Sequence, residues 1–192
     1  ANGTLSTEAL ISHRFPIEKA ADAYELLSSP EPSLGILLQY PGTADPQQRI
    51  IDLPEQQVAI STIRSGQPLL GVIGAGNYAS RMLIPAFANA GASFQTLAAS
   101  SGIGPVHVGG KFGFRQASTD VQALIGSPNC NTVIIATRHD SHASLVQQAL
   151  AAGKHVFVEK PLCLSADELS GIESAFTGEH LLMVGFNRRF AP

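Results

Sequence analysis

The chain has 192 residues, of which 44% are hydrophobic and 14% are charged, and its net charge is −3. That composition supplies one packed core and excludes a disordered chain, while the slightly acidic balance excludes the basic surface needed to bind nucleic acid or an anionic membrane. We expect neither a secretory leader nor a membrane-spanning segment. The two cysteines, Cys130 and Cys163, match no metal-site spacing, which favours free thiols in the cytoplasm.

The first 41 residues predict a short strand–helix–strand segment. Residues 9–15 and 34–40 are apolar enough to form two strands. Pro16 suits the first turn of a helix, and the apolar residues that follow it fall on one helical face. A segment of about 40 residues is too small to stabilise itself as a domain. Residues 42–67, which contain several prolines and glycines, are predicted to be a linker.

From residue 68 onward the sequence alternates regularly between apolar strands and helices. The predicted strands are 69–73, 94–99, 132–136, 155–158 and 181–186, and the predicted helices are 77–90, 120–126, 142–152 and 166–176. Apolar strands that alternate with helices indicate a parallel sheet covered on both faces. We therefore predict that residues 68–192 form a doubly wound α/β domain of the Rossmann type with the strand order 3-2-1-4-5-6. Ser165 and Glu168 predict a capping box at the start of the last helix.

A glycine turn follows the first of these strands. Gly74, Gly76, Asn77 and Tyr78 belong to the segment GAGNYA, which matches the pattern G-x-G-x-x-A and opens a helix. The first glycine permits a tight turn, and the second lets the backbone approach a pyrophosphate at the positive end of the helix. The pattern alone also fits an ordinary strand–helix turn, but its position before a series of strands favours dinucleotide binding.

The end of the second strand bears on the choice of dinucleotide. An acidic residue normally stands there to bind the adenosine ribose hydroxyls, and this chain has Ser100 and Ser101 instead. The absence of a carboxylate leaves room for a 2′-phosphate. Lys111 and Arg115 would attract that phosphate if the glycine-rich stretch 102–110 were a flexible loop that folds back over the ribose. The sequence therefore slightly favours NADP, and NAD bound without a carboxylate is the alternative.

A polar segment follows the fourth strand, at the sheet edge where the ligands of open parallel sheets bind. It runs from Thr137 to His142 and includes Arg138 and His139. Its Asp, Ser and His are neighbours in sequence without a G-x-S-x-G elbow, so they cannot form a hydrolase triad. The two histidines lack a further cysteine or carboxylate ligand at useful spacing, so no metal site is predicted.

Lys160 ends the fifth strand between Glu159 and Pro161. The proline favours an extended conformation for the lysine before it. A lysine beside a bound nicotinamide can donate a hydrogen bond to a substrate hydroxyl and stabilise the alkoxide that precedes hydride loss. A solvated lysine paired with Glu159 explains the spacing equally well.

Four motifs in this order resemble the Gfo/Idh/MocA family, which includes relatives of glucose–fructose oxidoreductase and inositol dehydrogenase. The motifs are GAGN at 74–77, the segment from Thr137 to His142, AGKHVFVEKP at 152–161 and GFNRRF at 185–190. The resemblance covers about residues 69–192 and implies an oxidoreductase that transfers hydride between NAD(P) and a sugar, a polyol or a sugar derivative. It also implies that Lys160 orients the substrate and that the cofactor is lined by Thr137, His142, Glu159 and Asn187.

The same resemblance implies a second α/β domain after the last motif, which would supply the substrate pocket, a general-base histidine and an oligomer interface. Residues 1–41 resemble the last segment of a medium-chain, zinc-dependent alcohol dehydrogenase, without the zinc ligands of that family. We therefore expect this chain to be part of a fusion of two enzymes and to have no catalytic activity by itself. The full-length protein could form a homo-oligomer. A non-catalytic module that senses NAD(P)H or a nucleotide-linked sugar is the alternative.

Overall fold

A computed structural model of the chain describes residues 6–41, 48–54 and 67–190. The chain divides into two compact units, residues 1–48 and residues 49–192. Each unit has its own secondary structure.

The first unit contains two parallel strands joined by a helix. Strand β1 (Ile11–Pro16) pairs with β2 (Gly35–Gln39), and α1 (Ala20–Ser28) connects them. The predicted strand–helix–strand arrangement is therefore confirmed. Among the described residues of this unit only Ala23 is buried, which agrees with a segment too small to enclose a core.

The second unit is built on a seven-stranded sheet. Its strands are β3 (Ile50–Asp52), β4 (Leu69–Ile73), β5 (Ser93–Ala98), β6 (Gln116–Ser118), β7 (Thr132–Ile135), β8 (His155–Glu159) and β9 (Leu182–Gly185). They lie in the order β3-β6-β5-β4-β7-β8-β9, and every neighbouring pair is parallel except β3 with β6. From β4 to β9 this is the predicted order 3-2-1-4-5-6, with β6 as the third strand.

Helices connect the strands and cover both faces of the sheet, as predicted for a doubly wound domain. They are α2 (Ile84–Asn89), α3 (Ile103–Phe112), α4 (Val121–Gly126), α5 (His142–Ala151) and α6 (Ala166–Ala175). Adjacent residues of β7 divide between two cores, with Ile134 in one and Ile135 in the other, as expected of a strand buried on both faces. Ser165 caps α6 as predicted, because its side chain accepts a hydrogen bond from Glu168 N at 3.2 Å.

The expectation that residues 102–110 form a flexible loop is wrong, because α3 occupies this stretch. The helix ends at Gly113, whose φ of +73° is the left-handed conformation typical of a helix C-terminus. Gly109 lets the helix pack closely, since a Cβ there would lie 2.7 Å from Leu53 Cδ1. These glycines therefore serve helix packing and termination.

Two short strands lie where the sequence predicts none. β3 has the sequence Ile-Ile-Asp but is only three residues long and falls inside the predicted linker, and β6 has the polar sequence Gln-Ala-Ser, so neither forms an apolar run of strand length. Both are stabilised by backbone pairing, β6 with β5 and β3 with β6. Leu53, directly after β3, is only 9% exposed and belongs to the core. Packing of the second unit therefore begins within the predicted linker.

The helix after β4 contains one turn of π-helix. Residues Ala79–Leu83 form this turn, and the Ile84 N–H bonds to the Ala79 carbonyl, five residues back. Pro85 gives the physical reason, because proline lacks an N–H and clashes with the carbonyl four residues earlier in a regular α-helix. The wider turn keeps the helix continuous from Asn77 to Asn89.

At Gly71, in the middle of β4, α4 packs closely on the sheet. A Cβ at Gly71 would lie 2.7 Å from Leu124 Cδ2 and 2.8 Å from Cys130 Sγ, and both of these side chains are buried. The same burial raises the pKa of the Cys130 thiol. We expect Gly71→Ala to lower the free energy of unfolding, measured by urea titration, by about 1–3 kcal/mol through overpacking.

Gly126→Ala is the matched control, because a Cβ at this last residue of α4 meets no atom of the described residues within 4 Å. There the added methyl group should not lower the free energy of unfolding and should raise it by up to about 1 kcal/mol through helix propensity. If Gly71→Ala proved as stable as the unsubstituted chain, the close packing of α4 on β4 would be contradicted.

Candidate functional site

The glycine turn at the end of β4 is held against β7. Gly74 has a φ of +108°, a conformation that L side chains rarely adopt. A Cβ on Gly74 would collide with the carbonyl oxygen of Ala136, the residue that follows β7. Hydrogen bonds fix the turn on both sides, from Gly74 N to Ala98 O at 2.8 Å and from Ala136 N to Ile73 O at 2.9 Å. The packing of the protein itself therefore requires glycine at position 74.

Gly76 is not required by the packing of the protein. Apart from its chain neighbours, no atom of the described residues would lie within 4 Å of a Cβ there, and the residue is exposed. The chain becomes helical at Asn77, and Ser80 N donates a hydrogen bond to Gly76 O at 2.9 Å. The positive end of this helix thus begins beside open space, next to a residue without a side chain. That combination leaves room for an anion close to the backbone.

A cavity of about 220 Å³ lies at the carboxyl ends of β7 and β8. It is lined by Tyr78, Ala136, Thr137, His139, His142, Glu159, Lys160 and Asn187. The structure therefore brings together seven of the predicted site residues from the segments that follow β4, β7, β8 and β9. The prediction missed Ala136 because alanine carries no chemical signal. Its role in the turn depends on its carbonyl group.

Glu159 and Lys160 are adjacent but differ in exposure. Glu159 is 8% exposed, and its Oε1 has no hydrogen-bond partner in the described part of the chain. Lys160 is exposed, and no ion pair with Glu159 is found among the described side chains. A buried oxygen without a partner costs about 1–3 kcal/mol unless a ligand satisfies it. The cavity lining thus includes one buried carboxylate and one exposed ammonium group.

His142 is fully buried although it belongs to the cavity lining. Its Nδ1 lies 2.7 Å from Pro161 O and its Nε2 lies 3.3 Å from Thr137 O. Its ring also meets the ring of His139 edge-on, with the ring centres 5.7 Å apart. Because carbonyl oxygens only accept hydrogen bonds, the shorter contact makes Nδ1 the donor to Pro161 O. The imidazole nitrogens therefore contact the protein's own backbone.

Two hydroxyl groups order the segment between β7 and α5. Ser141 Oγ donates to Arg138 O at 2.8 Å, and Thr137 Oγ1 lies 2.7 Å from Ser141 Oγ. Because the Ser141 proton is engaged, Thr137 is the donor to Ser141, and the Thr137 oxygen keeps lone pairs that can accept. Ser141 thus supports the backbone, in agreement with the exclusion of a hydrolase triad.

Tyr78 and Asn187 form one side of the cavity. Asn187 Nδ2 donates a hydrogen bond to Tyr78 Oη at 3.0 Å, and both side chains are exposed. Tyr78 follows β4 and Asn187 follows β9, and the ends of β7 and β8 lie between them in the strand order. This hydrogen bond therefore spans the part of the sheet edge that carries Thr137 and Lys160.

The remaining predicted residues at this edge lie outside the cavity. Asn77 and Arg138 are exposed at the start of the helix after β4 and in the segment after β7. Ser100 and Ser101 are exposed between the end of β5 and the start of α3. Because β5 is the neighbour of β4, the two serines lie on the side of the glycine turn away from the cavity.

Lys111 and Arg115 do not lie near these serines, contrary to the prediction. The helix α3 runs from the carboxyl end of β5 to the amino end of β6, and Lys111 is in its last turn. From Ile103 to Lys111 the helix axis covers about 12 Å. The Lys111 ammonium lies 5.3 Å from the centre of the Phe112 ring, and Arg115 N donates to Gln95 O near the start of β5. The two cations are therefore at the opposite edge of the sheet.

Within residues 6–41, 48–54 and 67–190, no three His, Cys, Asp or Glu side chains are grouped to hold a metal ion. No helix in these ranges is long and apolar enough to cross a membrane.

Several known proteins are similar to this chain. Myo-inositol 2-dehydrogenase from Thermotoga maritima is 41% identical over 81 residues, which make up 42% of this chain and 24% of that protein. Inositol 2-dehydrogenase from Rhizobium meliloti is 31% identical over 123 residues, 64% of this chain and 37% of that protein. The structure of biliverdin reductase from Synechocystis with biliverdin and NADP+ superposes with a TM-score of 0.55 at 29% identity, covering 60% of this chain and 37% of that one. The chain therefore spans well under half the length of these relatives.

Residues 69–186 match the oxidoreductase family with an NAD-binding Rossmann fold. This range includes the glycine turn, all six strands from β4 to β9, and every cavity residue except Asn187. The strand order of the sheet agrees with that fold. The chain belongs to the Gfo/Idh/MocA family of oxidoreductases.

Proposed function

We propose that the second unit binds a nicotinamide dinucleotide, NADP or NAD, along the carboxyl edge of its sheet. The pyrophosphate lies at Gly76 and the helix start at Asn77, the adenosine ribose lies at Ser100 and Ser101, and the nicotinamide lies in the cavity. The observation that carries this proposal is the open space at Gly76 beside a cavity lined by Glu159, a buried carboxylate whose Oε1 has no hydrogen-bond partner among the described residues. In open parallel sheets, ligands bind at this edge where the strand order reverses.

The polar groups of the cavity fit the nicotinamide end of such a cofactor. Glu159 Oε1 is a buried acceptor, and both the ribose hydroxyls and the carboxamide N–H of a nicotinamide nucleotide are donors. Thr137 Oγ1 supplies a second acceptor, and Asn187 supplies an amide at the opposite side. Tyr78, Arg138 and His139 form the surrounding surface in this proposal. When bound, the nicotinamide ring accepts or releases the hydride.

Lys160 is the catalytic residue in this proposal. Its ammonium group is exposed at the cavity, where it can donate a hydrogen bond to the oxygen of a secondary alcohol. The positive charge would stabilise the alkoxide formed when the hydroxyl proton passes to a base, which we propose lies in the parts of the protein beyond this segment, while hydride passes from the same carbon to the nicotinamide. In the reverse direction the same group polarises the ketone oxygen. The residue thus acts on the substrate and also contacts the cofactor, while Glu159 and Thr137 hold the nicotinamide end.

The substrate that we propose is a sugar, a polyol or a sugar derivative. Support comes from the two inositol dehydrogenases among the relatives, whose names specify oxidation of a polyol. Because the matched segments make up only 24% and 37% of these relatives, we propose that parts of the protein beyond this segment hold the substrate. We accordingly expect no turnover of a polyol by the 192 residues alone.

We further propose that residues 1–41 are the end of an alcohol-dehydrogenase-like domain, joined through residues 42–67 to the Rossmann domain of residues 68–192. The exposure of Tyr24 (70%) and Leu34 (78%) supports this, since a larger domain would cover such apolar side chains. The strand β3 would then anchor the linker to the sheet. The two free cysteines support a cytoplasmic location, and a homo-oligomer is proposed only for the whole protein.

For the cofactor we propose a preference for NADP over NAD. No carboxylate stands at the end of β5 to repel a 2′-phosphate, because Ser100 and Ser101 occupy that place. The helix α3 begins directly after Gly102, so its N-terminal N–H groups and positive dipole end lie next to the two serines. This helix terminus, rather than Lys111, is the group that we propose attracts the phosphate.

Binding of NADH should depend on the absence of a side chain at Gly76. We expect the unsubstituted chain to bind NADH, measured by nicotinamide fluorescence. Gly76→Val should weaken binding at least about tenfold by blocking the approach of the pyrophosphate to the backbone. The matched control is Gly126→Val at the end of α4, where a Cβ also meets no atom within 4 Å. The control variant should bind NADH like the unsubstituted chain.

Two results would contradict the binding proposal. One is an unsubstituted chain that binds neither NADH nor NADPH at millimolar concentration. The other is a folded Gly76→Val variant, checked by circular dichroism, whose affinity for NADH equals that of the Gly126→Val variant.

The second prediction concerns the choice between NADP and NAD. The unsubstituted chain should bind NADPH more tightly than NADH. Ser100→Asp places a carboxylate beside the 2′-phosphate and should weaken NADPH binding about tenfold more than NADH binding. Lys111→Ala, at the other edge of the sheet, is the control and should leave both affinities unchanged. Equal or tighter binding of NADH by the unsubstituted chain would show that the serines only tolerate NADP.

A further inference from the structure

His142 joins two loops that carry different parts of the candidate site. It is the first residue of α5 and is 0% exposed. Its Nδ1 lies 2.7 Å from the carbonyl of Pro161, the residue after Lys160, and its Nε2 lies 3.3 Å from the carbonyl of Thr137. One imidazole ring therefore contacts both the β8–α6 connection and the β7–α5 connection.

The hydrogen bond to Pro161 holds the position of Lys160. Proline has no N–H, so its carbonyl is the one polar group through which the backbone of this residue can be held. The pyrrolidine ring fixes φ at Pro161, so the preceding residue follows its placement closely. A buried donor on the Pro161 carbonyl therefore fixes where the Lys160 side chain leaves the backbone. With the hydrogen on Nδ1, Nε2 of the neutral ring has none to donate, so its 3.3 Å approach to Thr137 O is a packing contact that sets Thr137 against the other side of the ring.

We propose that His142 is a positioning residue that sets the distance between Lys160 and Thr137 across the nicotinamide cavity. Neither ring nitrogen is available to a ligand, because both face protein carbonyls and the side chain has no exposed surface, although the residue borders the cavity. This inference rests on the proposed function of the cavity. The resemblance implies that His142 contacts the cofactor, whereas we propose that it holds residues that do. Sites of this kind lose affinity when the groups that hold their contact residues are removed.

The chain offers a matched control in Lys154. This side chain is also buried, 8% exposed, and its Nζ donates to two backbone carbonyls, Ser127 O and Cys130 O, each at 2.7 Å. Lys154 precedes β8 and Cys130 precedes β7, so these hydrogen bonds lie at the amino edge of the sheet, away from the cavity. Substitution of Lys154 therefore removes buried hydrogen bonds to the backbone without altering the candidate site.

The test compares two ligands that share the pyrophosphate and adenosine. NADH occupies the glycine turn and the cavity, whereas ADP-ribose lacks the nicotinamide ring. We expect His142→Leu to weaken NADH binding at least about tenfold while the dissociation constant of ADP-ribose changes less than about twofold. His142→Asn keeps an amide donor near the position of Nδ1 and should recover part of the NADH affinity. Lys154→Met should lower the thermal midpoint but leave the ratio of the two affinities unchanged.

The outcomes separate this inference from the proposed function. Binding of neither ligand by the unsubstituted chain contradicts the proposed function and this inference with it. If the unsubstituted chain binds both, an unchanged affinity ratio in folded His142→Leu overturns the positioning role alone, and so does an equal loss for both ligands. If His142→Leu does not fold, His142→Asn decides. If His142→Asn weakens NADH binding more than ADP-ribose binding, the inference is supported. If the ratio of its two dissociation constants equals that of Lys154→Met, the inference is overturned.

Discussion

The closeness of the glycine turn to β7 determines the geometry of the whole carboxyl edge. Gly74, with a φ of +108° and no Cβ, brings the end of β4 against the carbonyl of Ala136. That contact places the helix that begins at Asn77 next to the segment that begins at Thr137. A side chain at position 74 would push the turn away from β7 and separate the two halves of the candidate site. The open space at Gly76 and the cavity are adjacent because of this one contact.

Buried polar side chains show how the fold separates support from binding. Lys154 holds two segments together through hydrogen bonds to two backbone carbonyls. His142 does so through a hydrogen bond to Pro161 O and a packing contact with Thr137 O. Glu159 is buried to a similar degree, yet its Oε1 has no partner in the part of the chain that the structure describes. In the interior of a protein, a polar group with a hydrogen-bond partner stabilises the fold, and a polar group without one destabilises it. Glu159 is therefore the buried group that a ligand donor would stabilise.

Much of this edge could be predicted from the sequence, because its signals are local. The segment GAGNYA follows an apolar strand, and Lys160 stands where another apolar strand ends, so both positions follow from the alternation of strands and helices. The helix α3 could not be predicted in the same way. In the sequence, Gly109 indicates a loop. In the structure it allows α3 to pack against Leu53, a contact between residues distant in sequence. Similarly, a histidine that binds a ligand and one that holds two segments together have the same sequence signal, and only the burial of His142 distinguishes them.

We propose that one dinucleotide lies across this edge, from the serines after β5 to the cavity after β8. A crystal structure of the chain with bound NADPH would show this binding mode. We expect the pyrophosphate against the backbone at Gly76, the 2′-phosphate beside Ser100 and the start of α3, and the nicotinamide ring in the cavity within reach of Lys160. A bound NADPH that leaves the cavity empty, or that reverses the two ends of the cofactor, would contradict this binding mode.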